Sequence, residues 1–249
     1  MKTPQIDKLA EMLSGTHEDS FFNEWGRIKS YDIEVNRQFY ERLELWISSI
    51  PEDQKEIFER KISKVHHKRD RRRYRDWEKL FDTFNESFGF HILRDKYACE
   101  QIEFFEQDGK APDLHATQGE THYYLECKTI NHSQEERASW HSEDSNLPCI
   151  DGLPPTLKQK IKSVYQDAKT QLDAAPKHPE MKYLVTMVIN IDHQISGFPD
   201  SEAKMCLDYL NSIEDPKYFI DFHVHYPLTN RMSNVASAPS LMLHVVQMK

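Results

Sequence analysis

Up to about residue 73 the hydrophobic positions repeat at helical spacing and carry no strong strand signal. Phe39, Leu43, Trp46 and Ile47 recur three or four residues apart, which gives that segment one buried face. Ser48, Ser49 and Pro51 interrupt the pattern. Pro51 suits the first turn of a following helix, and Glu52 and Asp53 suit its positive end. From about Arg75 the helical period returns with Trp77, Leu80, Phe81, Phe84 and Phe88, and Gly89 reads as that helix's end. Beyond Gly89 the period shortens. Phe90 to Leu93 reads as a short strand and Gln101 to Phe105 as a further extended piece. Ala111 to Ala116 and Thr121 to Ile130 read as the arms of a hairpin that turns through Thr117 to Glu120 at Gly119. The polar stretch 131–155, with Gly152, Pro154 and Pro155, reads as a long loop. Leu157, Ile161, Val164, Tyr165, Ala168 and Leu172 then mark a second amphipathic helix. Tyr183 to Ile191 is apolar enough for a strand covered on both faces. A helix near Ser201 to Ile213 and strands near Tyr218 to Tyr226 and Leu241 to Gln247 follow. This order predicts an α/β fold with a mixed sheet over 74–249, preceded by a helical amino-terminal extension over 1–73.

Composition adds class and compartment. The chain has 249 residues, of which 38% are hydrophobic and 29% charged, as a globular protein with a polar surface requires. No stretch approaches the roughly 18 apolar residues that span a bilayer, and the amino terminus lacks the apolar core of a secretory signal. Cys99, Cys127, Cys149 and Cys206 are widely spaced and read as free thiols in a reducing compartment, so the expected location is cytoplasmic. The net charge of −9 argues against a polyanion partner, except that the run from Arg60 to Arg75 holds nine Lys or Arg against the single acid Asp70. Lys68, Arg69, Arg71, Arg72, Arg73 and Arg75 are candidate phosphate contacts; a solvated helix face is the equally weighted alternative. His66 and His67, inside this run, read as solvated. Trp77 reads as core.

The candidate chemistry lies in the hairpin. Pro112-Asp113 lies on one arm and Glu126-Cys127-Lys128 on the other. Residues two apart in a strand share a face, so Glu126 and Lys128 point the same way and pairing can bring Asp113 beside them. Two carboxylates and an ammonium suit Mg²⁺ (or Mn²⁺), which takes oxygen ligands and stabilises charge developing on a phosphate. Lys128 would position the attacking water. A cross-strand ion pair on a sheet surface is the competing reading.

Pro112-Asp113, a gap of twelve residues, then Glu126-Cys127-Lys128 resembles the signature of the PD-(D/E)XK nuclease superfamily, over roughly residues 75–192. The resemblance implies a restriction-endonuclease-like αβββαβ core with a central mixed sheet. It implies Asp113 and Glu126 as metal ligands, the backbone carbonyl of Cys127 as a further ligand, and Lys128 as the water-positioning residue. It also implies an acid on the first core helix, matched by Glu78 with Glu86 as fallback, and an auxiliary Lys or Gln from the second, among Lys162, Gln166, Lys169 and Gln171. Phosphodiester hydrolysis follows as the expected activity, with DNA preferred over RNA on the resemblance alone. An inactive nuclease-fold module that binds nucleic acid or a protein is the alternative. A homodimer would suit a double-strand cutter. His223-x-His225 is a weaker zinc candidate without an identifiable third ligand, and His115 and His122 read as sheet-surface histidines flanking the site. No phosphate-loop, dinucleotide or hydrolase-elbow motif occurs.

Overall fold

The computed structural model describes residues 2–30, 34–69, 77–105, 111–130, 153, 155–190, 199–213, 215–225 and 244–246. They form an α/β fold that divides into two compact units. The first comprises residues 1–104 with 116–118. The second comprises 105–115 with 119–249. The division therefore falls later than the boundary at 73 read from the sequence.

The first unit holds α1 (Pro4–Leu13), a 3₁₀ turn (Phe21–Glu24), α2 (Trp25–Ser30), α3 (Glu34–Ser48), α4 (Glu52–Ser63), α5 (Glu78–Asp95) and β1 (Gln101–Phe104). Leu43, Trp46 and Ile47 are buried along α3, as their spacing requires. The Glu44 carboxylate of α3 accepts the first N–H groups of α1, from Gln5 at 2.9 Å and Ile6 at 3.1 Å, an anion at the positive helix end. Trp77 is core, with its indole N–H donating to the Asp19 carbonyl at 2.8 Å. Two expectations are corrected here. Helix α5 runs through Gly89 to Asp95, so Phe90 to Leu93 is helical. Leu80, Phe84, Phe88 and Ile92 continue one buried stripe past the glycine, and this packing outweighs the roughly 1 kcal/mol helix penalty of Gly. His66 is buried rather than solvated, with Nδ1 lying 2.9 Å from the Ser20 hydroxyl. Burial lowers its pKa, with the neighbouring His67 and His17 adding to the effect.

The second unit carries most of the six-stranded sheet, whose order begins at β1. Strand β2 (Leu114–Gln118) passes its last three residues to the first unit, where the Glu100 N–H donates to the Thr117 carbonyl at 2.9 Å. From β2 the order runs to β3 (Thr121–Ile130), β4 (Met181–Asn190), β5 (Tyr218–His225) and β6 (His244–Val246). Gly119 makes the tight β2–β3 turn at φ +58°, a conformation that disfavours other residues. β3, β4 and β5 are parallel, with Glu126 opposite Val185 and Tyr183 opposite Tyr218, while β6 is antiparallel to β5. Parallel neighbours need crossovers, supplied by α6 (Pro155–Asp173) and α7 (Pro199–Ile213). Both helices bury the same sheet face. Ile161, Tyr165, Ala168 and Leu172 of α6 and Cys206 and Leu210 of α7 pack with Tyr124, Tyr183, Val185 and Ile220. None of the described helices is long and apolar enough to cross a membrane.

Candidate functional site

Alternation along β3 puts Glu126 and Lys128 on the face of Tyr124, the face that α6 covers. Asp113 stands just before β2. Its N–H donates to the Leu125 carbonyl at 3.1 Å, and its Oδ2 accepts the Cys127 N–H at 2.8 Å. Backbone bonds to β3 on both sides of Glu126 thus hold the Asp113 residue in place. Lys128 Nζ lies 2.6 Å from Glu126 Oε1 and also donates to Gln171 Oε1 from α6. Gln171 in turn donates from Nε2 to the Ala111 carbonyl at 3.2 Å, tying the helix to the segment that leads into Asp113.

The electrostatics are those of a crowded, partly dry site. The Glu126 side chain is 2% exposed, against 20% for Lys128. Burial, and then the Asp113 charge, push the Glu126 carboxyl up to about 8, and the Lys128 ammonium only partly offsets them. Glu126 Oε2 is buried and has no hydrogen-bond partner among the described residues. A buried acceptor left unmet costs about 1–3 kcal/mol, more if charged, so natural folds seldom keep one without a use. A divalent cation would answer both anomalies, because it takes carboxylate oxygens and favours their ionised form. Among the described residues no group of three or more His, Cys, Asp or Glu could hold a metal ion. A cation at Asp113 and Glu126 would complete its shell with water and substrate oxygens, the habit of Mg²⁺.

The other expected residues divide. Of the four auxiliary candidates Gln171 joins the site. Lys169 is drawn to Asp215 at 2.7 Å and lies over the Tyr165 and Tyr218 rings, while Lys162 and Gln166 are exposed. Cys127 meets the site through its N–H, which donates to Asp113 Oδ2. Glu78 opens α5 in the first unit, and Glu86 of the same helix pairs with Lys61. In the basic run Lys68 is exposed and the Arg69 guanidinium lies 4.3 Å from the centroid of the Trp77 ring. Arg71, Arg72, Arg73 and Arg75 lie outside the described residues, as do the side chains of His223 and His225.

Further along the same face, sequence reasoning missed a partner. His115 Nε2 lies 3.0 Å from His122 Nδ1, and the His122 ring stacks on His178 at 3.6 Å and 7°. Burial lowers the His122 pKa, with His178 and His115 adding to it. His178 sits between helix and strand in PKHPEMK, where no periodicity marks it. No protein family, curated protein or solved structure matches this chain.

Proposed function

We propose that this protein is a divalent-cation-dependent nuclease of the PD-(D/E)XK kind, hydrolysing phosphodiester bonds with DNA as the favoured substrate. The observation that carries the reading is the convergence of Asp113, Glu126 and Lys128 around a buried carboxylate oxygen that lacks a partner among the described residues. The succession α5-β1-β2-β3-α6-β4 supports it, since it repeats the αβββαβ order of the restriction-endonuclease-like core.

In this reading Asp113 and Glu126 would hold Mg²⁺ or Mn²⁺, with the Cys127 carbonyl as a further ligand on the resemblance alone. The ion, when bound, supplies charge neutralisation and a bound water of lowered pKa. Glu126 would hold the ion in its ionised form, and Asp113 keeps its orientation through the Cys127 N–H. Lys128 positions the water and balances charge at phosphorus. Gln171 fixes the Lys128 ammonium and so acts through it. Glu78 is assigned a supporting role on the resemblance alone.

The test incubates purified protein with plasmid and with linear single strands, with and without Mg²⁺ or Mn²⁺, alongside Asp113→Ala, Lys128→Ala and Glu78→Ala. Metal-dependent cutting lost in the first two variants is the expected result. Tight binding without cutting under every condition replaces the hydrolase by a nucleic-acid-binding module. Retained cutting in Glu78→Ala removes that residue from the site.

A further inference from the structure

Where β4 and β5 begin, a cleft of about 580 Å³ opens between Lys177, Lys182, Tyr183, Lys217 and Phe219. Three lysines converge there on a chain whose net charge is −9. Lys177 donates to the Tyr183 hydroxyl at 2.8 Å and the Asp173 carbonyl at 2.9 Å, and Lys182 donates to the Tyr123 hydroxyl at 3.2 Å. Neither ammonium is paired with a carboxylate among the described residues, whereas Lys217 is neutralised by Asp173. Lys177 and Lys217 approach the same Tyr183 ring, at 5.3 Å and 5.0 Å from its centroid. Two cations on one ring share the single Asp173 carboxylate, which bonds Lys217 and also feels the Lys177 charge, and the excess positive charge is one that an anion would relieve.

Phe219 adds the second element. Its ring is 49% exposed, on a strand whose neighbours Tyr218 and Ile220 are buried. A lone exposed aromatic needs no explanation on an open surface. This one lines a basic cleft, and ammonium groups beside an uncovered aromatic face are the elements that hold an unpaired base and its phosphates. A duplex offers no base face to such a ring. Lys182 is in register with Tyr123 and bonds its hydroxyl, so by strand alternation it stands on the sheet face opposite Glu126, as does Phe219, whereas Lys177 and Lys217 lie over Tyr183 on the Glu126 face. The cleft therefore wraps the ends of β4 and β5.

We propose that this cleft binds the backbone of a single-stranded nucleic acid, with Lys177 and Lys182 on phosphates and Phe219 stacked on a base. The assignment rests on the nuclease reading for its substrate class, and its test does not depend on cleavage. A labelled single-stranded oligodeoxynucleotide is titrated with the full chain in EDTA, and anisotropy is followed from low to moderate salt. The Lys177→Ala/Lys182→Ala double variant is expected to bind at least ten-fold more weakly. Its dependence of log Kd on log salt should flatten by about 1.4, two phosphate contacts at about 0.7 each. Lys177→Arg/Lys182→Arg should retain affinity, Phe219→Ala should lose roughly five-fold or more, and a duplex of the same sequence should compete poorly. Wild-type affinity and slope in the double alanine variant, no binding by the native chain, or equal competition by duplex each overturns the proposal. If nothing is cut in any metal yet affinity follows Lys177 and Lys182, the hydrolase reading fails and the cleft stands. Cutting combined with indifference to these lysines gives the reverse.

Discussion

The second unit places charge in two contrasting ways. At Glu126 and Lys128 the charges are enclosed. One carboxylate is almost fully buried beside a second acid, and one of its oxygens goes unmet among the described residues. At Lys177, Lys182 and Lys217 the charges are open to solvent and lean on phenol rings and hydroxyls, with one conventional ion pair. Buried charge is expensive and tolerated only when matched; exposed charge costs little and steers. In the proposed reading the first arrangement holds a cation and acts on a bond, and the second grips what the bond belongs to. Substitutions in the two regions should therefore fail differently.

The largest difference is expected in turnover. Lys128→Ala should lower kcat by about 100- to 1000-fold, the usual consequence of removing a preorganised charge from a reacting centre. Lys182→Ala should act mainly through KM and should become less visible as salt rises. Single-turnover and steady-state cleavage at two salt concentrations separate the two. Equal effects on kcat would erase the contrast.

Stability provides the next largest effect, and it needs no substrate. The Glu126 carboxyl is held at about 8 in the folded chain against an ordinary 4.5. The folded state therefore retains a proton that the unfolded state releases. Metal-free stability should fall as pH rises from about 4.5 to about 8 and then level off. Glu126→Gln removes that dependence and should be more stable than the native chain by about 2–4 kcal/mol at pH 8.5. Mg²⁺ or Mn²⁺ should restore stability to the native chain at that pH and do nothing for the variant. Urea melts at pH 5.5, 7 and 8.5, with and without the ion, measure all three. A flat profile in the native chain would return Glu126 to an ordinary ion pair.

The same contrast governs what the sequence could reveal. The enclosed site was legible because strand geometry does the work of assembly: a period of two aligns Glu126 with Lys128, and a short hairpin returns Asp113 to them. The fold order was legible for a similar reason, since Ile161, Tyr165, Ala168 and Leu172 announce α6 and Tyr183 to Ile191 announces β4. Gly89 misled because a buried stripe carried the helix through it, and His66 because its ring packs toward Ser20 from within a charged run. The cleft was invisible. Lys177, Lys182 and Lys217 come from separate segments and meet only because β4 and β5 are parallel and start level with one another. Gln171 was one of four equivalent candidates until the face of α6 was fixed.

Gln171 supplies a smaller, intermediate test. Its carboxamide oxygen accepts from Lys128 while its nitrogen donates to Ala111. Gln171→Ala should lower stability by about 1–2 kcal/mol, because both partners lose a bond in a half-buried setting. Turnover should fall roughly ten-fold with KM little changed, since Lys128 keeps its charge but loses its constraint. Gln171→Glu should keep the Lys128 contact while adding a third acid beside Asp113 and Glu126. It should therefore tighten divalent-ion binding in calorimetry even if cleavage is slow. A variant with normal turnover and weakened metal binding would instead make Gln171 part of the ligand set.

The smallest effect belongs to the open region. Lys217 pairs with Asp173, and the two side chains are 49% and 48% exposed. The pairing raises the Lys217 pKa, chiefly through the Asp173 hydrogen bond, and lowers that of Asp173 through the same bond. The Asp173 contribution is present above its ordinary value of 3.8 and is lost as pH falls through the lower folded value. The Lys217 contribution is present below 10.5 and is lost as pH rises through the higher folded value. Solvent screening limits the pair to about 0.5 kcal/mol or less between those limits. Lys217→Ala should therefore leave the melting temperature nearly unchanged at neutral pH, and the residual difference should vanish in roughly 1 M salt. Asp173→Asn should leave stability equally untouched, yet it frees the Lys217 ammonium beside Tyr183 and should strengthen single-strand binding at low salt. A pair that matters little to folding but moves affinity when its acid is removed is the behaviour that separates a gripping surface from a reacting centre.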